Sequence, residues 1–104
     1  MTNVSGFVQD GINRIAIIGD MEMFGSGKIK GELWELAWKQ NYTVVEINLE
    51  NVNYIDSSGV AVLISFITML QKGGKKVKVV KVKERVLSVF HLACLDTLIF
   101  GAKH

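Results

Sequence analysis

The sequence predicts a single α/β domain in which helices pack on a mixed, mainly parallel sheet of about five strands. The chain has 104 residues, which is enough for one domain with one core. Runs of β-branched residues alternate with segments of helical period after two opening strands, and such alternation is typical of strands joined by helical crossovers. Hydrophobic residues make up 49% of the chain and charged residues 21%, which is typical of a folded globule. The predicted order is β-β-α-β-α-β-α-β.

The first third of the chain predicts a hairpin followed by a helix. Residues 4–10 and 14–19 are predicted as short strands, and the pair Asp10-Gly11 favours a tight turn between them. Residues 28–39 carry apolar side chains at helical spacing and are predicted as an amphipathic helix. Two tryptophans four residues apart on this helix are interpreted as side chains that cover the hydrophobic core and not as a ligand site: Trp34 and Trp38.

The rest of the chain continues the alternation. Residues 43–49 are rich in β-branched side chains and are predicted as a central buried strand. A helix is predicted over residues 57–72, and the pair Gly73-Gly74 is expected to end it. The remaining predicted elements are a strand over 77–82, a helix over 84–92 and a short strand over 98–100.

The predicted helix over residues 57–72 has almost no polar face before Gln71. A helix that is apolar all round is normally buried on all sides, which is difficult in a domain of this size. Either neighbouring helices flank it closely, or part of it faces a partner protein.

Charge and cysteine content restrict the function. Residues 72–104 carry eight basic and two acidic residues, and Lys78 alternates with valines, so we interpret these lysines as solvated ends and an edge of a strand. A patch over residues 72–85 for an anion, an acidic lipid or nucleic acid is the weaker alternative, and no aromatic side chains for stacking on bases are interleaved there. Cys94 is the only cysteine and is interpreted as a small core residue. Residues 1–6 do not resemble a signal peptide, and residues 59–70 are too short to span a membrane, so we expect a cytoplasmic protein without membrane insertion.

The Asp56-Ser57-Ser58-Gly59 turn is the strongest candidate site. Asp56 is a natural N-cap, and the serines and glycine would then form the first turn of the following helix. Free N–H groups and the positive end of the helix dipole tolerate an anion there, and a phosphate would add about −1.5 to −2 charges at pH 7. These residues alone are also compatible with an ordinary capped turn, and they leave Ser57 and Ser58 open as alternatives.

The sequence around this turn resembles the STAS family, the anti-sigma-factor antagonists and their relatives. The resemblance rests on the stretches 44–49 and 52–63, the Gly73-Gly74-Lys75 helix stop and the strand at 77–82, and it covers nearly the whole chain. It implies one STAS domain over residues 1–104, a partner that is an anti-sigma factor serine kinase, and a phosphatase that resets the switch. The residue before the glycine is the one phosphorylated in that family, which here is Ser58. The family loop that follows the second strand carries an acidic residue near this serine. The residues implied to contact the partner are therefore Asp56, Ser57, Ser58, Gly59, Asp20 and Glu22.

Rival functions have weaker support. Gly25-Ser26-Gly27-Lys28 resembles a P-loop but lacks its first glycine and the hydroxyl after the lysine, so we expect a flexible lead into the first helix. Neither His91 nor His104 completes a catalytic arrangement, and we expect no enzyme activity, no cofactor and no metal. A STAS scaffold or an accessory subunit of a transporter or stressosome-type complex, with an unmodified serine, stays open, as does a weak homodimer.

Overall fold

A computed structural model of the chain describes residues 3–37 and 42–92, and all of their side chains except those of residues 23–27 and 92. Its elements occur in the predicted order. They are β1 (Asn3–Gln9), β2 (Ile12–Ile18), α1 (Met23–Ala37), β3 (Val44–Asn51), α2 (Ser57–Lys72), β4 (Lys76–Val80) and α3 (Glu84–Leu92). The predicted strand over 98–100, Cys94, Trp38 and His104 lie outside the described residues.

The opening hairpin is confirmed. β1 pairs antiparallel with β2, and Gln9 faces Ile12 across a two-residue turn. Both turn residues, Asp10 and Gly11, have positive φ angles, of 54° and 77°. Positive angles at both positions define the type I′ turn, whose twist matches that of the flanking strands and which favours the Asp-Gly pair.

The four described strands form one mixed sheet in the order β1-β2-β3-β4. β2, β3 and β4 are parallel to one another, and the crossovers through α1 and α2 advance in the same direction across the sheet. Right-handed crossovers of this kind place both helices on one face, and α1 packs against α2. Residues of β2 and β3 on that face are at most 1% exposed, and they form the centre of the core: Ile15, Ile17, Val45, Ile47 and Leu49.

The start of α1 differs from the sequence prediction. The helix begins at Met23, so the backbone of Gly25-Ser26-Gly27-Lys28 is helical, and the expected flexible lead is wrong. Glycine costs about 1 kcal/mol per residue in a helix relative to alanine. Tertiary packing outweighs this cost because Ile29 and Leu33 are 1% exposed and anchor the helix in the core.

The end of α1 is capped by two side chains, one from β2 and one from the segment just before β3. The amide Nδ2 of Asn13 donates to the carbonyl of Leu36 at 3.0 Å, and the hydroxyl of Tyr42 donates to the carbonyl of Ala37 at 2.7 Å. The last carbonyls of a helix have no partner within it, so these donors satisfy groups that would otherwise be buried unpaired. Asn13 is fully buried, and this contact satisfies the Nδ2 of its amide.

The end of α2 is a Schellman motif at the predicted position. Gly74 has a φ of 85°, its N–H donates to Gln71, and the N–H of Lys75 donates to Leu70. β4 ends at Val80 rather than at residue 82, because Lys81 has a φ of 56°, which a strand does not accommodate.

The apolar helix α2 is more fully covered than its sequence indicates. Its buried residues form one face against the sheet, and half-buried Val62, Ile64 and Met69 also pack on the core. Its exposed positions carry small or polar side chains: Ser57, Ala61, Ser65, Gln71 and Lys72. The partner-facing apolar surface inferred from its sequence is therefore small.

Candidate functional site

The Asp56-Ser57-Ser58-Gly59 turn forms the N-terminus of α2, as the sequence predicts. Asp56 is the N-cap, with extended backbone angles of −107° and −175°. Its carboxylate oxygen Oδ1 accepts the N–H of Ser58 at 2.9 Å and the N–H of Gly59 at 3.0 Å. Its carbonyl accepts the N–H of Val60, the first bond of the helix. Two otherwise unpaired donors of the first turn are therefore satisfied by one side chain.

The hydroxyl of Ser58 points at the same carboxylate. Its Oγ donates to Asp56 Oδ1 at 2.6 Å, a length typical of a hydroxyl bonded to a charged acceptor. Ser58 is half-buried, whereas Ser57 is exposed. The structure thus distinguishes the two serines, which the residue types alone do not: Ser58 has an oriented hydroxyl with its proton directed at Asp56, and Ser57 faces the solvent.

Gly59 packs tightly against Met21, in the loop that follows β2, and against Ile55. It is buried, and a Cβ atom at this position would lie 2.6 Å from the carbonyl oxygen of Met21 and 2.8 Å from the Cγ1 of Ile55. Real Cβ contacts do not occur at such distances, so only glycine fits here without displacing the neighbouring backbone.

The loop that follows β2 runs beside the turn. Met21 forms a parallel bridge with Ile55, its N–H donates to the carbonyl of Tyr54 at 2.9 Å, and its carbonyl accepts the N–H of Asp56 at 3.0 Å. Upstream, the N–H of Gly19 donates to Asn51 at 2.9 Å. These bonds hold the loop and the turn as one unit at the carboxyl edge of the sheet.

This arrangement brings the second set of predicted site residues to the turn. Asp20 and Glu22 flank Met21 in sequence, and Met21 is bonded to both neighbours of Ile55. Asp20 is half-buried and Glu22 is exposed. The structure therefore places the two predicted segments side by side, and what either carboxylate binds stays a prediction.

Sequence reasoning missed Met21 and Tyr54. Met21 is 2% exposed and supplies both backbone bonds that join the two segments. Its signal in the sequence is one apolar residue between two acids, which is typical of a short extended segment with one buried position. Tyr54 is 47% exposed beside the turn, and nothing in its sequence position distinguishes it from an ordinary loop aromatic.

Other candidate sites give no comparable geometry. Within residues 3–37 and 42–92, no group of three or more His, Cys, Asp or Glu side chains is arranged to hold a metal ion. No helix in these two ranges has the length and apolar content to cross a membrane. The described basic residues after α2 extend from Lys75, before β4, to Arg85 in α3; Lys76 and Lys78 are exposed, and Lys83 donates to the side chain of Asn53.

Comparison with known proteins agrees with the fold and with the sequence resemblance. Residues 7–103 match the family model of the STAS domain. The anti-sigma-B factor antagonist of Bacillus subtilis is 26% identical over 86 residues, which cover 83% of this chain and 77% of that protein. A crystal structure of an anti-sigma factor antagonist from Mycobacterium paratuberculosis is similar with a TM-score of 0.83 and 18% identity, over 95% of this chain and 83% of that one. The antagonist SpoIIAA in its unphosphorylated form is similar with a TM-score of 0.75 and 17% identity, over 100% of this chain and 90% of that one.

The same fold also occurs within much longer proteins. The murine anion transporter Slc26a9 is similar with a TM-score of 0.77 and 12% identity, and the match covers 88% of this chain but only 18% of the transporter. At such identities the likeness shows the fold alone.

Proposed function

Because the chain belongs to the STAS domain family, we propose that it is an anti-sigma factor antagonist that is switched by phosphorylation of Ser58. In its unmodified form it binds a cognate anti-sigma factor serine kinase and so controls release of a sigma factor. The kinase phosphorylates Ser58, the complex dissociates, and a phosphatase restores the binding form. The observation that carries the proposal is the Ser58 hydroxyl, oriented by Asp56 at 2.6 Å in the first turn of α2.

Phosphorylation would change the electrostatics of the turn at the place where the partner is proposed to bind. The Ser58 proton that Asp56 accepts would be replaced by a group carrying about −1.5 to −2 charges. Two unit charges about 4 Å apart interact by about 4 kcal/mol at an effective dielectric constant of about 20. The positive end of a helix contributes about 0.3–2 kcal/mol to an anion at its N-terminus. Repulsion from Asp56 therefore exceeds the dipole stabilisation, and the turn has to rearrange and present a negative surface.

The fold itself should tolerate the modification. Leu63, Phe66 and Ile67 hold α2 in the core at no more than 2% exposure, one or more helical turns away from Ser58. The added charge acts on the half-buried first turn and not on this packing. A phosphate at Ser58 is thus suited to change binding while the domain stays folded, and the protein acts by binding and not by catalysis.

The test is incubation with candidate anti-sigma factor kinases and ATP, followed by mass spectrometry of the chain. Phosphate is expected on Ser58, to be lost in Ser58→Ala and kept in the matched control Ser57→Ala. Ser58→Glu is expected to weaken binding to the same kinase by at least 10-fold while the circular dichroism spectrum stays that of the wild type. Phosphate on Ser57, or on neither serine, would contradict the proposal.

The second candidate is a STAS module that serves as a scaffold or an accessory subunit; the same fold occurs within an anion transporter. In that case neither serine is phosphorylated, and Ser58→Glu leaves the affinity for the partner unchanged. A cytoplasmic location belongs to the first proposal, because sigma factors act where transcription takes place. Weak self-association is a separate proposal that sedimentation of the purified chain tests.

A further inference from the structure

Large apolar side chains are exposed at three positions in the described part of the chain. They are Phe7 at 54%, Tyr54 at 47% and Ile18 at 43%. A single exposed apolar residue is ordinary on a protein surface, so exposure by itself indicates no function. The position of these residues relative to the Asp56–Gly59 turn is informative, because two of the three lie at the same edge of the sheet as the turn.

Ile18 and Tyr54 lie on neighbouring segments. Ile18 is the last residue of β2 and pairs with Asn51 at the end of β3, just past an irregularity in the register. Tyr54 follows Asn51 by three residues, so the chain between them spans at most about 11 Å. Asp56, the first residue of the turn, follows Tyr54 by two residues. On the other segment, Met21 follows Ile18 by three residues and is bonded to both Tyr54 and Asp56. The two apolar residues and the turn therefore share one continuous edge.

The backbone under these two residues is held in place. The N–H of Gly19, next to Ile18, donates to Asn51, and the carbonyl of Tyr54 accepts the N–H of Met21. A fixed backbone lowers the entropy lost when a side chain is buried at an interface. Tyrosine is also among the residues most enriched at energetic hot spots, since its ring buries a large area with few rotatable bonds.

We propose that Tyr54 and Ile18 are the apolar anchors of the surface that binds the anti-sigma factor. The partner would present an apolar recess for the two side chains beside the part of its surface that faces Ser58. This inference rests on the proposed function and extends its interface from the turn to the carboxyl ends of β2 and β3. Burial of the two anchors supplies affinity, and the charge state of Ser58 controls it.

Phe7 provides a matched control. It is the most exposed of the three residues, but it lies in the middle of β1, where it pairs with Arg14, four residues before Ile18 on β2. Truncating Phe7 removes a comparable apolar side chain from a part of the surface outside the proposed interface. All three side chains are exposed, so their truncation should leave the melting temperature close to that of the wild type.

The experiment is isothermal titration calorimetry of the full chain against the purified anti-sigma factor kinase of the same genome. Tyr54→Ala is expected to weaken binding by about 30-fold, the usual effect of truncating a hot-spot residue, and Ile18→Ala by about 5-fold. Tyr54→Phe should stay within about 3-fold of the wild type because the ring is kept, and Phe7→Ala within about 2-fold.

The outcomes separate this inference from the proposed function. Wild-type affinity in Tyr54→Ala, together with a loss in Ser58→Glu, would overturn the anchor surface and leave the phosphorylation switch intact. A loss in Phe7→Ala as large as that in Tyr54→Ala would overturn the location of the surface. Unchanged affinity in both Tyr54→Ala and Ser58→Glu, or no binding to the kinase at all, would overturn both.

Discussion

Replacement of Gly59 by alanine probes the junction between the turn and the loop that follows β2. The new Cβ would lie 2.6 Å from the Met21 carbonyl oxygen and 2.8 Å from both Ile55 Cγ1 and Met21 Cβ. Overpacking of this kind costs about 1–3 kcal/mol. Displacing Met21 also weakens the bond in which its carbonyl accepts the N–H of Asp56, at a cost of about 1 kcal/mol. Alanine regains about 1 kcal/mol over glycine in a helix. The net expectation is a loss of about 2 kcal/mol.

The assay is thermal unfolding followed by circular dichroism, with Gly31→Ala as the matched control. For a domain of this size, a loss of 2 kcal/mol lowers the melting temperature by about 8–16 °C. Gly31 is also helical and a Cβ there meets no atom within 4 Å, so Gly31→Ala should raise the melting temperature by about 4–8 °C. A melting temperature of Gly59→Ala equal to or above that of the wild type would refute the reasoning, because it would mean that the contact relaxes at no cost.

Three further contacts lead to predictions of their own. Asp56→Ala should lower the free energy of unfolding in urea by about 1–2 kcal/mol, whereas Asp56→Asn should stay near the wild type because an amide oxygen also caps a helix; equal losses would contradict the capping role. Burial raises the pKa of Tyr42, so the folded protein keeps the phenolic proton at pH values where the unfolded chain releases it. The free energy of unfolding should therefore fall as the pH rises above about 10, and it should fall less steeply in Tyr42→Phe than in the wild type. The Lys75 ammonium lies 4.3 Å from the ring centroid, so Lys75→Met serves as the control for the contribution of that lysine to the pH slope. Identical pH slopes in the wild type and Tyr42→Phe would count against this. The ion pair between Arg14 and Glu46 is 2.9 Å long, but its side chains are 40% and 27% exposed, so a double-mutant cycle should give a coupling energy below about 1 kcal/mol, and a value above 2 kcal/mol would be inconsistent with its exposure.

The order of the elements was predictable because the signals behind it are local. Asp10-Gly11 favours one type of turn, the β-branched run at 44–49 favours a buried strand, and the two glycines after Lys72 favour a helix end. In each case the residues that carry the signal are the residues that adopt the structure. The Asp56 cap belongs to the same group, since its three bonds all go to residues within three positions of it.

Features that depend on distant contacts were not predictable. The helical backbone of residues 25–28 depends on how α1 packs, and its glycines locally favour a loop. The need for a glycine at position 59 arises from Met21, 38 positions earlier in the chain, and one donor that caps α1 comes from Asn13 on β2, 23 positions before Leu36. These partners are far apart in sequence, so the residue pattern of one short stretch of the chain does not reveal the contact between them. The choice of Ser58 over Ser57 as the phosphorylated residue rests on the family resemblance and stays a prediction; the structure distinguishes the two only by the exposure of Ser57 and the bond of Ser58 to Asp56.

The close contact at Gly59 has a consequence for how this chain can change over generations. Every amino-acid substitution at this position adds a Cβ against the backbone of Met21, so each is expected to destabilise the fold. Met21 contributes its backbone to the same junction, so position 21 can drift among apolar residues but should reject proline, which has no N–H to donate to Tyr54. A saturation library selected for folding should therefore show an invariant position 59, a position 21 that excludes proline, and free variation at the exposed first residue of α2, Ser57.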